Sequence, residues 1–156
     1  MGEQKVSILK DNNQMHRFMR HLLKDVEALK YMLENDWFEK GITRIGAEQE
    51  MVLIDDKTYK PAPIAMEALA KMTAYPWVET ELAKFNLETN LEPRVFVGKC
   101  LSEMEKENRH NLGKIKNTLK TLDANFLLTG ILPTLRKFDL ELHNLTPMKR
   151  YEALMK

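Results

Sequence analysis

Glutamate is a poor strand former, yet two stretches of this chain combine strand-like alternation with repeated glutamates. The first is Arg44-Ile45-Gly46-Ala47-Glu48-Gln49-Glu50-Met51-Val52-Leu53-Ile54, and the second is Phe85-Asn86-Leu87-Glu88-Thr89-Asn90-Leu91-Glu92. Side chains alternate across a strand. Glu48 and Glu50 therefore share a face, as do Asn86, Glu88, Asn90 and Glu92. The opposite faces carry Ile45, Ala47, Met51 and Leu53, interrupted by Gln49, and Phe85, Leu87 and Leu91. If both strands lie in one sheet with their acidic faces aligned, four carboxylates and two carboxamides converge. Such a cluster is costly unless cations neutralise it, and oxygen donors of this kind suit hard divalent ions such as Mg2+ or Mn2+. Taken singly, each glutamate reads as part of a solvated sheet face. Jointly, like charges facing one another across strands favour a metal-nucleotide site.

The rest of the chain supplies helices to cover the apolar side. Met15, Phe18, Met19, Leu22, Val26, Leu29 and Leu33 recur at helical steps, which predicts a helix over Asn12–Leu33 with Asp11 as its N-cap. Trp37-Phe38 is expected to anchor the end of that helix against the sheet. Asp55-Asp56-Lys57-Thr58 with Pro61 and Pro63 marks a turn and loop, followed by a short helix over Ile64–Met72. Val78 to Lys84 reads as a further helical turn. A second long helix is predicted over Ser102–Leu122, opened by a capping box at Ser102-Glu103-Met104-Glu105. The apolar run Asn125–Pro133 suggests a buried strand, and a last helix starts at Met148. Strands that alternate in this way argue against an all-parallel α/β sheet, and no glycine-rich phosphate loop is present. The expected fold is α+β, with an antiparallel or mixed sheet covered on one face by two long helices, in one domain spanning residues 1–156.

Composition narrows the function. Lys+Arg 24 against Asp+Glu 23 leaves a net charge of +1, so nothing pulls the chain toward nucleic acid or an anionic membrane surface. Cys100 is the single cysteine, which excludes an internal disulfide and any cysteine-based metal site and points to a buried small hydrophobe. No continuous apolar run reads as a signal peptide or a membrane span, so a cytoplasmic protein is expected. His16 and His21, spaced by five, split around their helix rather than stacking, and His110 and His143 lack ligand-like neighbours. Met15, Met19, Met32 and Met104 sit at apolar helical positions expected in the core, whereas Arg17, Arg20, Lys24 and Lys30 read as a solvated helix face.

Four short motifs then suggest a family. Gly46-Ala47-Glu48-Gln49-Glu50 with its following apolar run to Asp55 resembles the opening strand of the glutamate–cysteine ligase type 2 and carboxylate–amine ligase family. Glu88-Thr89-Asn90-Leu91-Glu92 looks like its next acidic strand, Leu128-Thr129-Gly130-Ile131-Leu132-Pro133 is similar to its Thr-Gly-x-x-Pro segment, and Met148-Lys149-Arg150-Tyr151 resembles its Arg-Tyr signature. The resemblance implies a glutamine-synthetase-like fold whose sheet forms a funnel lined with metal-binding carboxylates. It also implies the reaction: ATP phosphorylates a carboxylate, and an amine attacks the acyl phosphate to form an amide. On that reading Glu48, Glu50, Glu88 and Glu92 ligate Mg2+ or Mn2+. Asn90 orients a ligand or binds substrate, and Arg150 pairs with a phosphate or a substrate carboxylate. The substrates are then small amino acids or carboxylates, with a homo-oligomer an open option.

The chain departs from the family pattern in three respects. Ile131-Leu132-Pro133 holds no counterpart to a histidine frequent there, and Asn90 replaces a commoner glutamine that is one methylene longer. Family domains are also longer, so the expectation is an N-terminal fragment, inactive alone. The rival reading is a non-catalytic sensing or scaffolding module that keeps the sheet but not the chemistry.

Overall fold

The two acidic segments become adjacent antiparallel strands, and everything that positions them lies between Arg44 and Pro147. The computed structural model describes residues 9–154, which divide into two compact units. One comprises 44–147, and the other combines the N-terminal segment up to Thr43 with the C-terminal segment from Met148.

In the larger unit, strands β1 (Arg44–Asp55), β2 (Val78–Thr80), β3 (Asn86–Val95) and β4 (Ala124–Leu127) form one antiparallel sheet in the order β2-β3-β1-β4. β3 pairs with β1 from Arg44 to Val52, and β4 pairs with it from Val52 to Asp55, so Val52 alone has strand partners on both sides. The β1–β3 register shifts between Ile45 and Ala47. Helices α2 (Ala65–Lys71) and α3 (Cys100–Lys120) pack on one side of this sheet. Met51, Leu53, Leu87 and Val78 from the strands meet Ala65, Ala68, Ile115 and Leu119 there in the principal core. Burial of these side chains is the main favourable term holding the sheet to its helices.

The expected α+β class and antiparallel sheet are present, but one covering helix differs. Helix α1 (Asn12–Glu34) starts as expected, with the Asp11 carboxylate accepting a hydrogen bond from Gln14 N at 2.8 Å. It belongs to the other unit and buries no residue. The short α2 takes the place expected of it on the sheet. Met15 and Met19 are correspondingly exposed, whereas Met104 and Cys100 are buried. Trp37 and Phe38 do not anchor the helix end: both are exposed, and Trp37 meets the Tyr31 ring edge-on at 6.2 Å.

Three further local expectations are corrected. Val78–Thr80 is a strand rather than a helical turn, because Val78 and Thr80 fit a pleated edge opposite Thr89 and Leu87. Helix α3 begins at Cys100, so Ser102 lies inside its first turn and no side-chain cap forms. The earlier start puts Cys100 on the same buried stripe as Met104, Ile115 and Leu119. The buried strand expected over Asn125–Pro133 stops at Leu127, leaving Leu128 and Ile131 exposed. Gly130 and Pro133 interrupt it, and Leu132 is the next residue of that run to be buried.

That interruption has a use. Past β4, Leu132 and Leu135 join Val52, Ile54, Ala83 and Phe85 in a second, smaller apolar cluster. Val52 and Ile54 share the pleat side of Glu48 and Glu50, so the acidic face of the sheet is partly covered. Phe85 belongs to this cluster rather than to the principal core, because β3 begins only at Asn86.

In the smaller unit, α1 and the short α4 (Lys149–Leu154) are the helical elements. Asn35 ends α1, its backbone N–H and Nδ2 both donating to Tyr31 O. Among the described residues no helix is long and apolar enough to cross a membrane.

Candidate metal centre

Register decides which carboxylates meet. Glu50 stands directly across from Glu88, Glu48 across from Asn90, and from the other side Glu79 of β2 faces Glu88. Directly opposed side chains on one pleat face lie about 4.5–5.5 Å apart at Cβ, so β1 and β3 bring Glu50 and Glu88 together by pairing alone. A third carboxylate, Glu81, follows β2, and one oxygen from each of Glu50, Glu81 and Glu88 lies within 4.8 Å of the others.

Glu81 is held by the backbone rather than by a strand partner in β3. Thr146, itself buried, donates its hydroxyl to the Glu81 carbonyl, and Thr146 N donates to Leu82 O at 2.9 Å. Lys84 N donates to Asn144 O at 2.8 Å, and Lys84 Nζ to His143 O at 2.6 Å. The segment from His143 to Thr146 thus runs as an extra ribbon along 81–84, with an isolated bridge between Ala83 and Leu145. Within the turn itself, the Glu81 carboxylate accepts from Leu82 N at 2.8 Å.

Two of the three glutamates, Glu50 and Glu81, edge a cleft of about 320 Å³. Glu50 and Glu81 form its polar rim, while Val52, Phe85, Leu132 and Leu140 form an apolar wall, with Gly130 beside it. Glu88 is half-buried, and burial holds its pKa above the ordinary value of 4.5. The amide of Asn90 opposes that rise, whereas a hydrogen bond with Glu81 and the charges of Glu48 and Glu81 add to it. Asn90 Nδ2 favours the ionised Glu88 by proximity, yet it is buried without a hydrogen bond of full geometry. A buried donor of this kind is rare in a finished protein surface.

The donor set fits a hard divalent cation. All three convergent groups are carboxylates, they are flanked by a fourth in Glu48, and no described cation offsets them by an ion pair. Carboxylate oxygens are the ligands that Mg2+ and Mn2+ take, and a cation among them would offset the burial of Glu88 and the like charges that add to its raised pKa.

The residues singled out from sequence are distributed unevenly about this centre. Glu50 and Glu88 are in it. Glu48 is exposed and outside the convergent group, though its charge reaches Glu88. Glu92 is exposed next to the register shift and also outside it. Asn90 lies on the same face, opposite Glu48. Arg150 is on α4 in the other compact unit, its guanidinium carbon 5.2 Å from the Tyr151 ring centre.

Sequence reasoning missed Glu81. The signal was available, since Val78-Glu79-Thr80-Glu81 alternates β-branched and acidic residues with period two. Reading that stretch as helix hid it.

Residues 44–156 match the family model of glutamate-cysteine ligase family 2. No curated protein and no solved structure matches the chain. The family match takes in both acidic strands, the Glu81 turn, Thr129-Gly130 and Arg150-Tyr151. It extends over most of the sequence, and on that ground the chain belongs to the glutamate-cysteine ligase family 2.

Proposed function

We propose that the acidic sheet face is the divalent-metal and ATP-phosphate wall of a carboxylate–amine ligase, which joins an acid to an amine through an acyl phosphate. The observation that carries this reading is the convergence of Glu50, Glu81 and Glu88, the first two at the edge of a cleft, with the pKa of Glu88 raised by burial and by neighbouring carboxylates. Family membership supports the ligase class. Glu50, Glu81 and Glu88 would hold Mg2+ or Mn2+, and Glu48 adds field to the same side. A bound divalent ion supplies neutralisation of the phosphates and electrophilic activation of the transferring phosphoryl group.

The chain's own contribution is positional. The backbone pairs 81–84 with 143–146 and so fixes Glu81 against β3. Val52, Phe85 and Leu132 exclude water from one side of the cleft, which strengthens every charge interaction at its rim. Asn90 Nδ2 offers a free donor on the acidic face, suited to a ligand oxygen. We assign to the Arg150 guanidinium the pairing with a phosphate or a substrate carboxylate, for which its planar fork is suited.

Titration of Mn2+ into the chain with ATP, followed by the loss of free-ion spin-resonance signal, tests the reading. Saturable binding that Glu50→Gln and Glu88→Gln each weaken is the expected result. Absence of binding, or binding indifferent to both substitutions, would overturn it in favour of a non-catalytic module.

A further inference from the structure

Helix α1 carries six apolar residues in an unbroken four-three rhythm: Met15, Met19, Leu22, Val26, Leu29 and Leu33. In heptad terms Met19, Val26 and Leu33 occupy a, and Met15, Leu22 and Leu29 occupy d. None of the six is buried, and their exposures run from 42% at Leu22 to 62% at Leu33. The helix has 23 residues, about 34 Å of rise and a little over three heptads. An apolar seam of that length left in water is an interaction surface rather than a scattering of single exposed side chains. A 3.5-residue period is also what a second helix of the same kind needs, because it keeps the seam facing its partner along the full length.

The flanking positions identify that partner and its direction. The e positions are His16, Leu23 and Lys30, and the g positions are Phe18, Asp25 and Met32. In a parallel, in-register pair each g residue faces the e residue five positions on in the other helix. Asp25 then meets Lys30 of the second copy, and Phe18 meets Leu23 of the second copy, each pairing occurring twice by symmetry. An antiparallel pair that keeps a against d instead sets Asp25 against Asp25 across the interface. The like charges of the two Asp25 side chains disfavour it. Val26 at a with Leu22 and Leu29 at d matches the two-stranded preference. We infer that α1 pairs with α1 of a second copy as a parallel, in-register two-stranded coiled coil, making the chain a homodimer through its N-terminal unit.

Sedimentation equilibrium of the full chain at micromolar concentrations is expected to give a dimer. Val26→Glu, which places a charge at the central a position, should weaken association by about a hundredfold or more. Glu27→Gln, on the outer face, should leave it unchanged. A second measurement does not depend on how Val26→Glu folds. In an equimolar mixture of Leu29→Cys and Met19→Cys proteins under mild oxidation, a parallel pair cross-links 29 to 29 and 19 to 19. Native Cys100 is buried and does not compete. A monomer at every concentration, a dimer indifferent to Val26→Glu, or cross-links joining 19 to 29 would each overturn the proposal.

Discussion

The two faces of one sheet are built from the same strands and obey opposite rules. On the side of Met51, Leu53 and Leu87, each side chain is fully buried against α2 and α3. On the other side, Glu50, Glu81 and Glu88 crowd their carboxylates together, and the half-buried Glu88 resists ionisation. The first face contributes stability in proportion to the area it removes from water. The second face carries like-charge repulsion that a bound cation or a proton would relieve. A strand pair this acidic survives because its reverse side is apolar enough to hold the register that makes the acids meet.

The largest effect expected from perturbing this contrast lies on the apolar face. Leu87→Ala empties a fully buried position one residue from Glu88 and should cost about 2–5 kcal/mol in urea unfolding. A loss under 1 kcal/mol would mean the apolar face is not the one that stabilises the sheet. Next comes Glu88→Gln, which should act with opposite sign on two measurements. Cation affinity should fall by about ten- to a hundredfold, roughly 1.4–2.8 kcal/mol. The cation-free protein should melt higher, because a repelled, partly buried charge is gone.

The same contrast has a pH signature. Glu88 holds its proton more tightly folded than unfolded, so its contribution to stability is intact below the ordinary value of 4.5. That contribution is lost as pH rises from there through the raised folded value. Asp55 behaves in the opposite sense. Hydrogen bonds from the Thr58 hydroxyl and N–H, both at 2.7 Å, hold it below the usual 3.8. Its contribution is present above that value and is lost as pH falls through the lower folded one. Chemical denaturation between pH 3 and 7 (an approximate window set by these groups) should show both limbs in the cation-free chain. Glu88→Gln should abolish the falling limb and leave that of Asp55.

Smaller effects discriminate within the acidic side. Thr146→Val removes the hydroxyl that holds the Glu81 carbonyl and should cost about 1 kcal/mol, with weaker cation binding that a simple core defect would not bring. Glu92→Gln should change stability by less than about 0.5 kcal/mol and leave cation affinity unaltered. A large drop on that substitution would move the centre toward the register shift.

Much of this contrast was legible in the chain itself. Period-two alternation placed Glu50 and Glu88 on a polar face and Met51 and Leu87 on an apolar one, and antiparallel pairing confirmed both assignments. What periodicity could not supply was register. Glu92 shares parity with Glu88, but the shift between Ile45 and Ala47 falls at Glu92, and pairing resumes only at Arg94. The alternation of Val78–Glu81 was a local signal for Glu81, but its place beside Glu88 also depends on Thr146, sixty-five residues later. The apolar stripe of α1 was equally plain, and α1 falls in a separate compact unit with no residue buried.

One consequence of the strand pairing concerns exchange with solvent. From Arg44 to Met51, β1 has a strand partner only in β3, whereas past Val52 it pairs with β4 while Leu53 N donates to Phe85 O at 2.7 Å and Asp55 N to Lys60 O at 3.0 Å. Amides that point toward β3 should therefore exchange slowly with deuterium, and alternate amides in the same stretch rapidly. Past Val52 that alternation should fade into uniform protection. The carboxylates at Glu48 and Glu50 ride on the half of the strand that breathes, and the apolar wall of the cleft rides on the half that does not.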